Sequence, residues 1–461
     1  MINLYYDTKM LDERAISEFG LSEEILQENA ASKIEEVIRQ NLQQKSKILF
    51  ICGSGNNAAD AICTARKLSN DYECDIFLTS NKLNLMASMQ LDKAKKAHVN
   101  LVENPEFSAY ECFVDGIFGS GLNRDMSDKV CKIINELNKT KGLKIAVDIP
   151  SGITKSGKIT QNAFIADFTI TMGALKLALF LDSSKDLVGK IILANLGISK
   201  ANFETINDSF LLEKTDLNLP FRHLQDTNKG NFGHLYVISG DLKGAAIIAA
   251  NAGFSIGAGL VSVVSDEKIS NLDPFIIQTN SFTKAKVLVA GCGLGEKTLN
   301  LELLKDKICV IDADLCYKKE IVPFLEKNEN LVLTPHPKEF ASLLNLAGLG
   351  DFSIKDVQAN RFDLARKWSE KFNSVLVLKG ANTIVSYKGK IFVSNFGSSI
   401  LAKAGSGDAL AGIIGGLLAQ NYSPLEAAIN GVLAHSLSVL NFKKNSYALT
   451  PNDIIEGIKC L

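Results

Sequence analysis

A glycine-rich segment near the carboxyl end of the chain has the residue types of a phosphoryl-transfer loop. Residues 404–412 read AGSGDALAG, and an apolar run with helical spacing continues to Leu418. The first N–H groups of a helix lack intrahelical partners and lie at the positive end of its dipole, so such a loop favours phosphate. Asp408 would lie beside that anion. A carboxylate there is repelled electrostatically by the phosphate, so its presence suggests a role in the chemistry. We therefore predict that Asp408 accepts a proton during phosphoryl transfer.

Further loops of the carboxyl-terminal half follow strand-like runs and could complete such a site. They lie at residues 239–246, 291–295, 334–339 and 379–383. His336 stands between Pro335 and Pro337, which makes its turn rigid. It fits either a helix entry with a surface histidine or a preorganised ligand group, and we favour the ligand group. Lys379 and Gly380 fit either a strand exit or a loop whose amides wrap a nucleotide.

Two aspartates and two histidines of this half carry less specific signals. Asp312 and Asp314 end a strand-like run, where they could cap the next element or reach Mg²⁺ through water. His234 and His435 lie inside a strand pattern and a helix pattern, and we predict that both are structural.

The amino-terminal half carries three polar loops, each directly after a strand-like run. Residues 53–60 read GSGNNAAD, Asp115 leads into residues 119–124, and Asp148 leads into residues 149–152. Asparagine capping explains one such loop. Three together match the crevice at the carboxyl ends of parallel strands, where open α/β sheets bind ligands. We therefore predict a ligand site in this half.

Runs with strand and helix spacing alternate along both halves. The predicted strands are residues 47–52, 73–79, 111–115, 143–148, 167–172, 235–239, 260–264, 286–290, 308–312, 331–334 and 375–378, followed by a hairpin of 383–387 and 390–394. The predicted helices include residues 11–19, 22–42, 58–68, 408–420 and 424–442. This alternation predicts an α/β protein with two doubly wound domains. The pattern weakens between residues 198 and 231, so we assign residues 1–209 to one domain and 210–461 to the other.

Composition narrows the class of partner. The chain has 50 basic and 51 acidic residues, a net charge of −1, so we expect no nucleic-acid partner. Its start lacks the pattern of a signal peptide. Residues 244–264 are uncharged and about as long as a bilayer crossing, but their polar residues and glycines favour a small-residue helix, a turn and a buried strand. The nine cysteines form no C-x-x-C pair and read as free buried thiols of a cytoplasmic protein with no membrane association.

The loops of the amino-terminal half resemble those of the NAD(P)H-hydrate epimerase domain. The motifs GxGNNxxD, VDxxFGxGL, VDIPSG and GALK occur in this order, and the resemblance covers roughly residues 5–200. It implies a Rossmann-like fold that interconverts the R and S epimers, at C6, of hydrated NADH or NADPH, with K⁺ beside the substrate phosphates.

This resemblance also implies roles for individual residues. Asp148 would act near C6, as a proton acceptor or by stabilising a charged intermediate, and Lys176 is a further candidate for the same pocket. The implied K⁺ ligands are Asn57, Asp115 and Ser151. The implied substrate contacts are Asn56, Asn57, Ala58, Ala59, Asp60, Gly119, Ser120, Gly121, Leu122, Asn123, Arg124, Asp125 and Asp148.

The sequence departs from the family pattern in one loop. Alanines stand at positions 58, 59 and 61, where the family has glycines. Each alanine adds a methyl group, which either faces the helix packing harmlessly or narrows the site.

The loops of the carboxyl-terminal half resemble those of the ADP- or ATP-dependent NAD(P)H-hydrate dehydratase domain, which has a ribokinase-like fold. The resemblance covers about residues 210–461. It implies that Ala245, Gly293, His336 and Asp408 contact the hydrate, and that Lys379, Gly380, Ala381, Asn382, Thr383 and Gly407 contact the nucleotide. The implied chemistry is phosphorylation of the C6 hydroxyl and then elimination, which restores the dihydronicotinamide. Mg²⁺ would accompany the nucleotide, for which we expect ADP rather than ATP.

Together the two resemblances imply a fused repair enzyme that binds hydrated NADH or NADPH and an adenine nucleotide, and that forms a homo-oligomer. An alternative is a ribokinase-like small-molecule kinase with a non-catalytic amino-terminal binding domain. A third reading, a binding protein with inactive sites, is disfavoured because Asp148 and Asp408 are both present, but Ala58 and Ala59 leave it open for the amino-terminal domain.

Overall fold

The computed structural model describes all 461 residues and contains two compact units. One comprises Asn3–Asn207, and the other comprises Asp208–Leu461 together with Met1–Ile2. Both units alternate strands and helices around a largely parallel sheet, which confirms the predicted α/β class.

The amino-terminal unit contains nine strands, seven of which form one parallel sheet. Its strands are β1 (Ile2–Tyr5), β2 (Lys47–Cys52), β3 (Glu73–Leu78), β4 (Asn100–Val102), β5 (Cys112–Gly116), β6 (Leu143–Val147), β7 (Phe168–Met172), β8 (Leu175–Lys176) and β9 (Lys190–Ala194). Its helices are α1 (Lys9–Ser17), α2 (Glu23–Asn41), α3 (Asn56–Leu68), α4 (Leu85–Lys96), α5 (Asp128–Lys139) and α6 (Lys200–Phe203). The sheet order is β4-β3-β2-β5-β6-β7-β9, and β1 pairs separately with β8. The order reverses between β2 and β5, so a ligand crevice is expected at their carboxyl ends.

The central strand β2 shows why this sheet is parallel and covered on both faces. Ile48, Phe50 and Cys52 belong to one apolar cluster, while Leu49 and Ile51 belong to another on the opposite face. A continuous apolar run is the signature of such a doubly covered strand, and it predicted β2 to the residue.

The carboxyl-terminal unit contains ten strands in one mixed sheet. Its strands are β10 (Ser209–Leu211), β11 (His234–Ile238), β12 (Leu260–Val264), β13 (Ile277–Thr279), β14 (Val287–Ala290), β15 (Ile308–Ile311), β16 (Leu331–Leu333), β17 (Val375–Leu378), β18 (Thr383–Tyr387) and β19 (Lys390–Ser394). Its helices are α7 (Lys243–Ser255), α8 (Ile321–Lys327), α9 (Pro337–Leu346), α10 (Ile354–Ala359), α11 (Arg361–Lys371), α12 (Ser406–Ala419), α13 (Pro424–Leu437) and α14 (Pro451–Ile458). The order within the unit is β13-β12-β11-β14-β15-β16-β17-β18-β19-β10, with its reversal between β11 and β14.

One strand departs from a purely parallel arrangement. β18 runs antiparallel to both β17 and β19. The β18–β19 hairpin turns at Lys388 and Gly389, whose φ values of 48° and 74° are those of the tight turn that suits twisted strands. The predicted hairpin is therefore confirmed.

Three other predictions have clear outcomes. Residues 244–264 form most of α7, a turn and β12, and none of the helices combines the length and apolar character of a membrane span. The helix predicted to Phe442 ends at Leu437, because the backbone then tightens into three-residue turns. All nine cysteines are free, but Cys131 is partly exposed and Cys460 is exposed, so the prediction of uniformly buried thiols is wrong for these two.

Candidate active sites

The phosphate-type loop of the carboxyl-terminal unit has the predicted geometry. Gly405 has a φ of 88°, and a Cβ there would lie 2.6 Å from Pro451 Cγ, so the turn into α12 requires glycine. The helix begins at Ser406, which leaves its first N–H groups at the loop.

His435 holds this loop from the neighbouring helix α13. Its Nε2 lies 3.0 Å from both the hydroxyl and the carbonyl oxygen of Ser406. His435 is buried, and burial lowers its pKa to about 4, which keeps the ring neutral. The sequence indicated a structural histidine, and the structure shows that this role is to position the first residue of the loop.

Asp408 projects from the first turn of α12 into a cluster of ionisable groups. Ligand atoms of Asp408, Asp312 and Cys292 all lie within 4.8 Å of one another. Burial and the negative charge of Asp312 raise the pKa of Asp408. A raised pKa makes a carboxylate a better proton acceptor, which suits the predicted role.

A buried ion pair joins the cluster to the 379–383 loop. Lys379 Nζ lies 2.8 Å from Asp312 Oδ1 and 3.8 Å from Glu339 Oε2. Burial lowers the pKa of Lys379, but the two carboxylates outweigh burial and raise it above its ordinary value. A Cβ on Gly407 would lie 3.4 Å from Lys379 Nζ, so the two predicted nucleotide loops meet. Capping of the next element was one of the two roles predicted for Asp312, but its side chain makes no capping hydrogen bond to the turn after β15.

The 379–383 loop is held from behind by Arg361, which no local sequence signal indicates. Arg361 is fully buried, and its guanidinium donates to the carbonyl oxygens of Leu378, Lys379 and Asn382 at 3.1–3.2 Å. Only the tertiary fold brings the start of α11 to this loop.

His336 also combines two roles. Its Nδ1 accepts hydrogen bonds from the N–H groups of Lys338 and Glu339, and its Nε2 lies 3.1 Å from Glu339 Oε1. The residue therefore caps α9, while burial and Lys379 lower its pKa. Its half-exposed ring remains available to a ligand beside the cluster.

The remaining predicted residues lie on adjoining loops. A Cβ on Gly293 would lie 2.9 Å from the Ala245 Cβ, so the loop after β14 packs against the start of α7. Asp314 accepts a hydrogen bond from the Gly295 N–H at 2.9 Å. His234 bonds to the Ser262 hydroxyl at 2.8 Å, within the sheet and away from the cluster.

A cavity of about 740 Å³ occupies the ligand crevice of the amino-terminal unit. Among the predicted residues, Asn56, Asn57, Asp60, Gly119 to Arg124, Asp148 and Lys176 line it. Asp7, Thr8, Lys9, Asp12 and Lys155 also line it, although no motif indicated them. They were missed because the first helix and the 155 loop reach the cavity through the fold and carry no local signature.

Ala58, Ala59 and Asp125 do not line this cavity. Ala58 and Ala59 are fully buried in the apolar cluster beneath α3, because the helix turns those positions away from the ligand side. Their methyl groups therefore do not narrow the cavity. Asp125 is exposed, one residue beyond the lining loop.

Asp148 is held by a ring of donors at the centre of the cavity wall. Its Oδ1 lies 2.7 Å from Lys176 Nζ and accepts from the Thr171 hydroxyl and the Met172 N–H at 3.3 Å. Its Oδ2 accepts from the Ser120 N–H at 3.3 Å. Asp148 has a φ of 67°, and such strain in a non-glycine residue concentrates at functional sites.

Two of the three predicted K⁺ ligands, Asp115 and Ser151, are in direct contact, and the third, Asn57, lines the cavity. Asp115 is fully buried and accepts from both the N–H and the hydroxyl of Ser151 at 2.7 Å. Burial raises the pKa of Asp115 to about 6. A Cβ on Gly119 would lie 2.9 Å from Asn57 Oδ1, so the amide oxygen faces a space that glycine leaves open. Carboxylate, hydroxyl and amide oxygens are hard donors, and they fit an alkali cation.

A phosphate-type loop beside the half-buried carboxylate of Asp408, and a polar cavity at a strand-order reversal, together define a two-domain α/β enzyme. Residues 235–459 match the family model described as NAD(P)H-hydrate dehydratase, and residues 23–178 match the one described as YjeF-related protein N-terminus. The chain is 42% identical over 477 residues to the bifunctional NAD(P)H-hydrate repair enzyme Nnr of Helicobacter pylori, with 100% of each chain covered. The chain belongs to the family of bifunctional NAD(P)H-hydrate repair enzymes.

Two solved structures are similar to the carboxyl-terminal unit. One is a ribokinase-like superfamily protein from Enterococcus faecalis, with 26% identity, 56% of this chain and 96% of that chain covered, and a TM-score of 0.46. The other is the ADP/ATP-dependent NAD(P)H-hydrate dehydratase from Bacillus subtilis, co-crystallised with ATP/Mg²⁺. It has 22% identity, covers 55% of this chain and 97% of that chain, and has a TM-score of 0.45.

Proposed function

We propose that this protein repairs hydrated NADH and NADPH by two activities. The amino-terminal domain, residues 1–209, interconverts the R and S hydrates, and the carboxyl-terminal domain, residues 210–461, dehydrates the S form with ADP or ATP. The observation that carries the proposal is the placement of Asp408 beside an anion-binding loop in a chain whose whole length matches this family. Family membership over both units also disfavours a kinase with a non-catalytic partner domain.

In the dehydratase site, Asp408 takes the proton of the C6 hydroxyl. The oxygen then attacks the terminal phosphorus of the nucleotide, and the loop at 405–407 and the Lys379 ammonium stabilise charge on the transferring group. Elimination of phosphate from C6, with loss of a C5 proton, restores the ring double bond. Mg²⁺ bound with the nucleotide would neutralise phosphate charge, and we expect ADP as the preferred donor.

In the epimerase cavity, Asp148 acts at C6 while the α3 N-terminus and the 119–124 loop hold the substrate phosphates. Lys176 donates to the Asp148 carboxylate and holds it in place. Asn57, Asp115 and Ser151 would hold K⁺, which supplies positive charge near the phosphates. The hard oxygen donors of these three residues, two of them in direct contact, support this assignment. The homo-oligomeric state stays a prediction.

The test supplies purified protein with the S hydrate of NADH and follows the absorbance of the dihydronicotinamide. We expect recovery only when ADP or ATP is added. Recovery without nucleotide, or no recovery with it, would contradict the dehydratase. A second assay supplies the pure R hydrate, which we expect to be consumed faster than it epimerises unaided.

A further inference from the structure

Carboxyl groups in two contrasting environments line the epimerase cavity. Asp148 has four donors around it, including the buried ammonium of Lys176. Asp12, which projects from α1, lines the same cavity, but its carboxyl has no hydrogen bond or ion pair. Asp60, on α3, is only 9% exposed and likewise has no partner.

The single buried ammonium of the cavity, that of Lys176, distinguishes Asp148 from Asp12 and Asp60. Lys176 is 1% exposed, and its ammonium is committed to Asp148, the Thr171 hydroxyl and the carbonyl oxygens of Met172 and Ala174. One buried ammonium can balance the charge of one carboxylate, and Lys176 is paired with Asp148. Because burying a second unpaired anion is costly, Asp12 and Asp60 retain their protons more strongly.

We propose that Asp12 is the general acid of the epimerase and works opposite Asp148 as the base, an inference that rests on the proposed epimerisation of NAD(P)H hydrate. A carboxylate held by several donors and a second carboxyl without partners, in one cavity, are a common basis of paired base and acid roles.

The chemistry balances with these two groups and water. Asp12 gives its proton to the C6 hydroxyl, and the C6–O bond breaks so that water leaves with the bonding pair. The N1 lone pair forms an N1=C6 double bond, which leaves a cation beside the new Asp12 carboxylate. Water then attacks C6 from the other face, the double-bond electrons return to N1, and Asp148 takes the water proton. The roles exchange in the reverse direction, and solvent returns the proton.

Asp12 suits the acid role better than Asp60 does. Burial raises the pKa of Asp12 to about 6, with Lys176 lowering it and Asp148 raising it. Burial also raises the pKa of Asp60, well above its ordinary range, and Asp60 is less exposed than Asp12. A general acid works best when its pKa lies near the working pH. Asp12 is also partly exposed, so it can be reprotonated from solvent.

The test compares Asp12→Asn with Glu13→Gln in the full chain. Glu13 neighbours Asp12 on α1 but is exposed and does not line the cavity, so its variant controls for a lost negative charge. We expect Asp12→Asn to lower kcat for the R hydrate by about 10²–10⁴-fold, with KM little changed and dehydration of the S hydrate intact. Asp12→Glu, which keeps a carboxyl, should restore part of kcat.

The pH profile separates an acid from a structural residue. The charged groups that influence Asp12 are Lys176, Asp148 and Asp60, and Asp7 and Glu13 on its own segment. The cavity is also lined by Lys9, Arg124 and Lys155. In the wild type, kcat should fall as pH rises through the pKa of Asp12, and Asp12→Asn should lose that limb. Wild-type kcat and profile in Asp12→Asn, or equal losses in the Asn and Glu variants, would overturn the assignment. A wild-type protein that does not accelerate epimerisation would instead refute the epimerase function itself.

Discussion

Lys379 Nζ lies 2.8 Å from Asp312 Oδ1, and this pair connects the 379–383 loop to the carboxyl end of β15. Asp312 is 2% exposed, while the Lys379 ammonium also reaches Gly407 at the phosphate-type loop. In the proposed mechanism, Lys379 supplies positive charge to the transferring phosphoryl group, and its ion pair with Asp312 holds the ammonium in place.

Removing Asp312 should therefore destabilise the unit. In Asp312→Ala, the Lys379 ammonium keeps only Glu339, 3.8 Å away, so we expect a loss of about 3–5 kcal/mol in the free energy of unfolding. Urea unfolding measures it. The double variant Asp312→Ala with Lys379→Met should recover part of the loss. Glu456→Ala, which breaks an exposed pair with Lys459, should change stability by less than about 1 kcal/mol. If Asp312→Ala and Glu456→Ala changed the free energy of unfolding equally, the Asp312–Lys379 pair would contribute no more to stability than an exposed pair.

Asp408→Asn tests the proton acceptor. The amide cannot take the hydroxyl proton, so recovery of the dihydronicotinamide should fall by at least about 10²-fold. The anion loop is built from backbone N–H groups, so nucleotide affinity, measured by calorimetry, should remain. A variant near the wild-type rate would exclude Asp408 as the base.

The sequence pattern predicted the strands whose own residues are sufficient to specify them. β12, β17, β18 and β19 match their predicted bounds because apolar runs and a two-residue turn specify them without distant partners. The short strand β10 was missed, because its three residues are strand-like only when paired with β19. Such strands depend on tertiary pairing rather than on their own composition.

The candidate sites divide in the same way. The glycine loops and the aspartates at strand ends allowed Asp148 and Asp408 to be predicted, because the backbone geometry of these loops restricts which residues can occupy them. Asp12 and Arg361 gave no signal, because a lone charged residue in a helical pattern normally faces solvent. Only the packing of α1 and α11 turns these side chains toward a cavity or a loop.

His435 should make stability depend on pH. Burial lowers its folded pKa to about 4, while an unfolded histidine has a pKa of about 6.5. Between these values the unfolded chain binds more protons, so the carboxyl-terminal unit should lose about 3 kcal/mol as pH falls from about 6.5 to 4. His435→Gln should show a correspondingly smaller loss over this range. Urea unfolding at several pH values measures it.

His223 provides the matched control, since it is exposed in the same unit. His223→Gln should keep the wild-type dependence on pH. If His435→Gln lost stability in parallel with the wild type, protonation of His435 would not be linked to folding.

Restoring the family glycines at positions 58 and 59 should not improve the epimerase. Both methyl groups are fully buried in the core beneath α3 and away from the cavity. Each Ala→Gly change costs about 1 kcal/mol in helix propensity and loses about 0.8 kcal/mol of methyl burial. We therefore expect the variant with glycine at both positions to lose about 3–4 kcal/mol in the free energy of unfolding of the amino-terminal unit, with no gain in the rate of R-hydrate consumption. Faster consumption in this variant, measured below its unfolding transition, would show that the alanines do narrow the substrate site.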